Sequence, residues 1–251
     1  MIADQSEPFI SIIVPAYLEA DTIVESIERM IGQFEEDFSG RFELIVVIDG
    51  NVDATAANLL RIEDSRLHVV EKPRNEGKGR ALRDGFSLAS APTIAQLDAD
   101  LDLHPRDVKV LYDILLGASS QAAVGSKFHP LSKVSYPALR RAQSHLYQFI
   151  IRMMFGLRLS DTQTGVKVFD RESLLSVLDS VGESGFVFDL DLLAAMSDSG
   201  YRLKEGPITL DYQYSSSLPP LGALVMLKHT VRVWRRAKKR RPHLRRRDSD
   251  H

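Results

Sequence analysis

Along the first half of the chain, hydrophobic positions alternate between short continuous runs and longer stretches where they recur every three or four residues. Residues 9–14 and 42–48 are continuous and rich in β-branched side chains, the pattern of strands buried on both faces. Residues 67–70, 93–97 and 122–125 read as further strands. Residues 21–34, 53–61, 78–89 and 105–116 carry helical spacing, with Asp53 placed to cap the second of these helices. The order βαβαβαβ predicts an α/β fold with a mainly parallel sheet flanked by helices. The second half breaks this rhythm with a long helix over 137–155, a turn-rich segment at 160–165 and a β-like end over 203–214. No internal repeat or low-complexity linker interrupts residues 1–214, which we read as one catalytic-sized domain followed by a tail, 215–251.

The tail has its own pattern. Leu221, Leu224, Leu227, Val231 and Trp234 recur at steps of three and four, while Lys228, Arg232, Arg235 and Arg236 occupy the remaining face. This spacing predicts a C-terminal basic amphipathic helix. Charge sharpens the point, because the net charge of -2 averages two unlike parts. From Lys228 to Arg247 there are 11 Lys or Arg and no Asp or Glu, which leaves residues 1–227 at -11. Such a helix suits an anionic membrane surface, where each Lys or Arg contributes roughly 1 kcal/mol. The same pattern also fits a helix packed on the domain, or a segment that binds nucleic acid. A membrane contact of this kind would make the tail a separable anchor for residues 1–214.

Composition mostly excludes. With 251 residues, 44% of them hydrophobic, the chain suits one large α/β domain or a domain with an appendage. The absence of cysteine removes thiolate metal sites, disulfides and cysteine nucleophiles. His68, His104, His129 and His145 lack ligand spacing, so zinc is not expected. Residues 1–8 are polar and acidic, without the features of a signal peptide. The apolar stretch 146–157 is interrupted by Gln148 and Arg152 and is too short to span a bilayer. Export is therefore not expected.

Candidate chemistry gathers at the ends of the strands. Asp98 and Asp100, around Ala99, follow the fourth strand; Pro15, Tyr17 and Glu19 follow the first; Asp49 follows the second. In an α/β sheet these loops share one edge, where ligands bind. Two carboxylates there suit Mg²⁺ or Mn²⁺ whose shell is completed by phosphate oxygens. Each acidic residue could equally be an independent helix cap. The segment 75–79 adds a Gly-rich helix entry bearing Lys78, which could approach a phosphate. Asp170, Glu172 and Asp179 read as a solvated helix face, and Asp189 and Asp191 as one side of a short extended segment, where they either reach ligand hydroxyls or simply face water.

In order and spacing, Val14-Pro15-Ala16-Tyr17-Leu18-Glu19, Val47-Ile48-Asp49-Gly50, residues 75–85 and Leu97-Asp98-Ala99-Asp100 resemble the inverting GT-A glycosyltransferases of the polyprenyl-phosphate or dolichyl-phosphate hexosyltransferase group. The resemblance covers about residues 9–214 and extends to Gly125-Ser126-Lys127, Arg140 with Ser144, Asp161-Thr162-Gln163-Thr164-Gly165-Val166-Lys167 and Phe188-Asp189-Leu190-Asp191. It implies a nucleotide-sugar donor held by Pro15, Tyr17, Glu19, Asp49, Lys78, Asp98, Ala99 and Asp100. It implies Mg²⁺ or Mn²⁺ held by Asp98 and Asp100, with Asp102 as a further metal ligand. Lys127, Arg140 and Ser144 would hold the phosphate of a polyprenyl acceptor, and transfer would proceed by one inverting displacement.

Three departures bear on the transfer of roles. Ile48 stands where many members have the first Asp of a pair, Asp102 where the mannosyl branch often has Gln, and Lys127 where Arg is usual. Residues 161–167 lean toward the glucosyl branch, hence UDP-glucose before GDP-mannose. A soluble or protein acceptor is the alternative, and would need Asp161 or Asp191 as a base. A binding module with an inactive nucleotide cleft is another, although no nucleic acid is expected as a partner.

Overall fold

A computed structural model describes residues 7–135, 138–183, 185, 187–211 and 220–247, with side chains described except at 135, 138–143, 211, 220–225 and 241–247. The elements run β1 (Ile10–Ala16), α1 (Ile23–Phe38), β2 (Phe42–Ile48), α2 (Thr55–Leu59), β3 (Leu67–Glu71), α3 (Lys78–Leu88), β4 (Thr93–Gln96), α4 (Arg106–Gly117), β5 (Ala122–Gly125), β6 (Lys133–Ser135), α5 (Ala138–Phe155), β7 (Lys167–Asp170), α6 (Arg171–Leu178), α7 (Phe188–Asp198), β8 (Leu203–Gly206), β9 (Thr209–Asp211) and α8 (Pro220–Arg247). Seven strands form one sheet in the order β3-β2-β1-β4-β7-β5-β8, and β6 pairs with β9 in a small second sheet. All pairings in the large sheet are parallel except those of β7, which runs antiparallel between β4 and β5.

The continuous apolar run of β1 divides by alternation between two cores. Ile10, Ile12 and Val14 face α1 and α4, where Ile23, Ile27, Met30 and Phe34 present one helical seam. Ile13 faces the opposite side, against α3, α6 and α7. Full burial of each such side chain contributes roughly 1.5–3 kcal/mol, so the central strands anchor the fold. A third cluster joins α5, α7 and α8 through Ile151, Phe155, Leu190, Ala194, Val233 and Ala237.

Several sequence expectations are corrected here. Pro15 lies inside β1 rather than after it. The pairing with β4 ends at Ile13↔Gln96, so the missing N–H of Pro15 falls on a side where no strand partner remains. The segment Phe188–Asp198 is a helix, and Asp189 and Asp191 are buried in its first turn instead of alternating along a strand. Apolar residues on every side of that helix blurred the helical period. Asp170 is no merely solvated group, since it caps α6 by accepting from the Ser173 N–H at 2.9 Å. The β-like end holds β8 and β9 as far as Asp211, and residues 212–214 lie outside the described residues.

The tail helix is present, but its buried face is not the expected one. Thr230, Val233 and Ala237 are buried against the domain, whereas Leu227 is 39% exposed. Leu221 and Leu224 lie outside the residues with described side chains. Docking on α7 and α5 selects the face beside the expected stripe, because the acidic groups of α7 draw the arginines inward. Among the described residues, no helix is long and apolar enough to cross a membrane.

Candidate active site

The loops after β1, β2 and β4 meet at one edge of the sheet, joined by the entry to α3. Residues with positive φ shape these loops: Leu18 at 59°, Gly50 at 98°, Gly77 at 97° and Leu101 at 56°. The two leucines are the informative ones, because a branched side chain resists that conformation and persists there only where surrounding structure holds it.

Asp49 sits at the end of β2, buried. Its Oδ1 accepts from Lys72 Nζ at 3.0 Å and from the Glu76 N–H at 2.9 Å, while Oδ2 accepts from the Gly77 N–H at 2.6 Å. The carboxylate thus ties the β2 end to the α3 entry and keeps an acceptor position on Oδ2 for one further donor, such as the imide of a base. Tyr17 is 42% exposed on the loop after β1. Glu19 orders that loop: its backbone N–H donates to Thr55 Oγ1 at 3.1 Å and its carboxylate accepts from Thr22 at 3.0 Å. Burial raises its pKa, and Asp53 and Asp98 add to the effect against the Thr22 hydrogen bond. Asp53 supports the same region, accepting from the Thr55 N–H at 3.0 Å and the Ala20 N–H at 3.3 Å.

Asp98 and Asp100 follow β4 around the buried Ala99. Burial, then the neighbouring Asp98 charge, pushes the Asp100 carboxyl up to about 6. Lys78, the first residue of α3, reaches Asp98 Oδ1 at 2.5 Å. Gly165 closes the site from the other side: a Cβ there would collide with the Asp98 carboxylate, so only glycine lets the 160–165 loop come this close. Two crowded carboxylates with an ammonium drawn onto one of them form a hard-oxygen, cation-seeking set, and these residues fit Mg²⁺ or Mn²⁺. Among the described residues, no three His, Cys, Asp or Glu side chains converge as a metal cage. The Asp102 backbone N–H donates to Asp100 Oδ1 at 3.1 Å and holds the loop.

Behind this pair lies a buried network whose pairing of Asp189 with Gln96 and Lys167 the sequence reading did not foresee. Asp189 of α7 accepts from Gln96 Nε2 at 2.8 Å and from Lys167 Nζ at 2.9 Å. Burial favours the neutral acid, but Lys167 and Lys78 outweigh it and hold the Asp189 pKa below the usual carboxylate range. A lysine flanked by Val166, Val168 and Phe169 in a buried strand was the available signal, since an interior ammonium demands a carboxylate partner.

The turn-rich loop connects to the expected acceptor side. Asp161 is fully buried and pairs with Lys127 Nζ at 2.6 Å, while accepting from Thr164 Oγ1 at 2.6 Å. Burial works against its charge, yet Lys127 and Thr164 more than compensate and lower its pKa. Glu205 anchors the loop by accepting from the Ser160 N–H at 2.7 Å and the Asp161 N–H at 3.0 Å. Lys127 is thus not a lone anion collector, because Asp161 already balances its charge. Ser144 is half-buried on α5, and the Arg140 side chain lies outside the described residues.

The family model described as Glycosyl transferase family 2 matches residues 11–178. The chain is 30% identical over 202 residues to Glycosyltransferase AglD of Haloferax volcanii, covering 79% of this chain and 32% of that relative, so it spans about a third of that protein's length. It is 26% identical over 227 residues to Dolichyl-phosphate beta-glucosyltransferase of Saccharomyces cerevisiae, covering 82% and 68%, and 27% identical over 204 residues to Undecaprenyl-phosphate mannosyltransferase of Micrococcus luteus, covering 78% and 81%. Among solved structures, glucosyl-3-phosphoglycerate synthase from Mycobacterium tuberculosis, with Mn²⁺, uridine diphosphate and phosphoglyceric acid, superposes with a TM-score of 0.68 at 22% identity, over 92% of this chain and 78% of that one. The shared architecture is the GT-A fold, and the chain belongs to glycosyl transferase family 2.

Proposed function

We propose that the protein transfers a hexose from a nucleotide sugar, UDP-glucose before GDP-mannose, to a polyprenyl or dolichyl phosphate at the cytoplasmic face of the cell membrane. The observation that carries this reading is the convergence of Asp98, Asp100 and Lys78 with the 160–165 loop, whose Asp161 is paired to Lys127. Donor and acceptor sides thereby share one short loop. The names of the yeast and Micrococcus relatives support a lipid-phosphate acceptor, and the residue 161–167 pattern supports the glucosyl donor.

Asp98 and Asp100 would hold Mg²⁺ or Mn²⁺ on the donor diphosphate, where a divalent ion supplies charge stabilisation for the departing nucleotide. Lys78 has an ammonium placed to move from Asp98 to a phosphate oxygen once that carboxylate is otherwise engaged. Asp49 and Tyr17 would orient the nucleoside, with Pro15 and Glu19 shaping the loop beneath it. A phosphate monoester is largely ionised at neutral pH, with a second pKa of about 6, so its oxygen attacks the anomeric carbon without a strong base. The carbon–oxygen bond to the diphosphate breaks as the new one forms on the opposite face, which inverts the centre. This economy matters because Asp161 and Asp191 are both committed to internal cations and offer no free base for a hydroxyl acceptor.

Membrane contact has physical support on neighbouring helices. Leu146, Phe149 and Met153 of α5 are 63%, 61% and 73% exposed on one helical face. Tyr147 joins α5 to Thr230 of α8 by a 2.9 Å hydrogen bond. On α8, Leu227, Lys228, Val231, Arg232 and Arg235 line a shallow depression of about 500 Å³. Apolar groups beside cations suit an anionic lipid surface.

The deciding experiment is radiolabel transfer from UDP-glucose, UDP-GlcNAc and GDP-mannose to polyprenyl phosphate vesicles with Mn²⁺ or Mg²⁺, beside Asp100→Ala. One sugar should enter the organic phase and the variant should lose it. Donor hydrolysis sensitive to Asp100→Ala, without a lipid product, would replace the lipid acceptor with a soluble one.

A further inference from the structure

The basic helix α8 is fastened to the domain by a buried charge cluster that the reaction does not use. Asp191 has no exposed surface; its Oδ2 takes the Arg236 guanidinium, and its Oδ1 accepts from Arg240 Nη1 at 2.8 Å. The Gly182 and Glu183 N–H groups donate to the same carboxylate at 3.0 and 3.3 Å. Glu183 is buried too, paired with His229 at 3.0 Å and Arg236 at 3.4 Å. The Arg236 guanidinium packs directly on Gly182, within 2.6 Å of where a Cβ would stand. Arg240 also spans to the Ser180 carbonyl at 3.1 Å and lies 3.7 Å from Asp198.

The partner of this cluster is the first turn of α7, which reaches the donor site with its other faces. Phe188 packs against Gly79, the residue after Lys78. Asp189 is held by Gln96 and Lys167, immediately behind Asp98. Leu190 enters the cluster with Val233 and Ala237 of α8, and Asp191 takes the two arginines. Four successive residues, turned by the helix through different directions, thus link the tail to the site. Releasing the arginines would leave the Asp191 carboxylate buried without a cation, a strongly unfavourable state that is relieved by proton uptake, by entry of water or by movement of the helix turn toward solvent. Movement of that turn carries Asp189 with it.

We propose that Arg236 and Arg240 are positioning residues for the donor site: they hold the first turn of α7 so that Asp189 stays seated against Gln96 and Lys167 behind Asp98. The tail is then part of the catalytic unit, and not a separable membrane anchor. This inference rests on the reading that Asp98 and Asp100 bind the donor diphosphate with its metal.

The test uses the full chain. Arg236→Ala with Arg240→Ala, the milder Arg240→Gln, the conservative Arg236→Lys with Arg240→Lys, and an exposed control, Lys239→Ala, are compared in detergent-free buffer without lipid. Hydrogen exchange in the unliganded protein should accelerate at 187–192 and also at 96–100 in the alanine pair, with the lysine pair close to wild type. Calorimetric affinity for UDP or GDP with Mn²⁺ should fall about tenfold or more in the alanine pair and by less in Arg240→Gln, as expected for groups that support metal ligands. The lysine pair should recover most of the loss, and Lys239→Ala should show none. Faster exchange confined to 187–192, or unchanged nucleotide affinity in a folded variant, would overturn the proposal. If the alanine pair fails to fold, Arg240→Gln decides by the same readouts. If the wild type binds neither nucleotide, the donor reading fails, while exchange at 96–100 still tests the link between helix and site.

Discussion

Asp107 shows how a single buried carboxylate sets a pH dependence away from the chemistry. It lies in the first turn of α4, accepts from the Thr209 N–H at 2.8 Å, and burial pushes its pKa up to about 6. In the unfolded chain the same group ionises at about 4. Between these values the folded state binds more protons than the unfolded one, so stability falls as pH rises through the window and the cost is complete above about 6. Asp107→Asn keeps an acceptor for Thr209 and removes the charge. We expect it to stabilise the protein by about 1–3 kcal/mol at pH 7.5 and to have no effect at pH 4, measured by urea unfolding. Legibility at this scale was uneven. Asp98 and Asp100 were readable because their position after a strand implies an exposed edge. The Lys127–Asp161 pair was not, because 34 positions separate its members and only the fold brings them within 2.6 Å.

Elements whose burial is one-sided or continuous were readable, and those buried all round were not. β1, β2, α1 and α3 fall where hydrophobic periodicity puts them, with shifts of a few residues at their ends. α7 failed this reading because Leu190, Leu192, Leu193, Ala194, Ala195 and Met196 are all buried, so no polar face marks the helical period. β7 is short, and its antiparallel insertion between β4 and β5 has no signature in a run of four residues. Packing between elements is tight at specific glycines. A Cβ on Gly85 of α3 would strike Ile13 of β1, so Gly85→Ala should destabilise by about 1–3 kcal/mol in denaturant titration through overpacking. On α5, Phe149 and Met153 point their apolar groups into solvent. Phe149→Glu with Met153→Glu should weaken sedimentation with anionic vesicles by about tenfold or more, given roughly 1.5–3 kcal/mol for each buried side chain of this kind. Unchanged sedimentation would remove α5 from the membrane contact.

Over the whole molecule, charge is segregated along the sequence but partly reunited in space. Eleven basic residues from Lys228 to Arg247 face a preceding chain at -11, and the fold spends Arg236 and Arg240 on Asp191 while Lys228 and Arg235 stay outside. Vesicle binding through the outer cations should therefore weaken steeply as salt rises from 50 to 300 mM, whereas the shielded pairs to Asp191 should persist; salt-independent binding would assign the contact to the apolar face of α5 alone. By itself the sequence determined the α/β class, the strand edge where the acidic loops gather, and the presence of a basic helical tail, because hydrophobic period, residue type after a strand and local charge are properties of short segments. Tertiary structure decided which face of that tail is buried, where Asp189 and Asp191 point, and how Asp161 and Lys167 find their partners. Those outcomes depend on burying charge, and a buried charge is stable only beside a counter-charge that the chain supplies from tens of residues away.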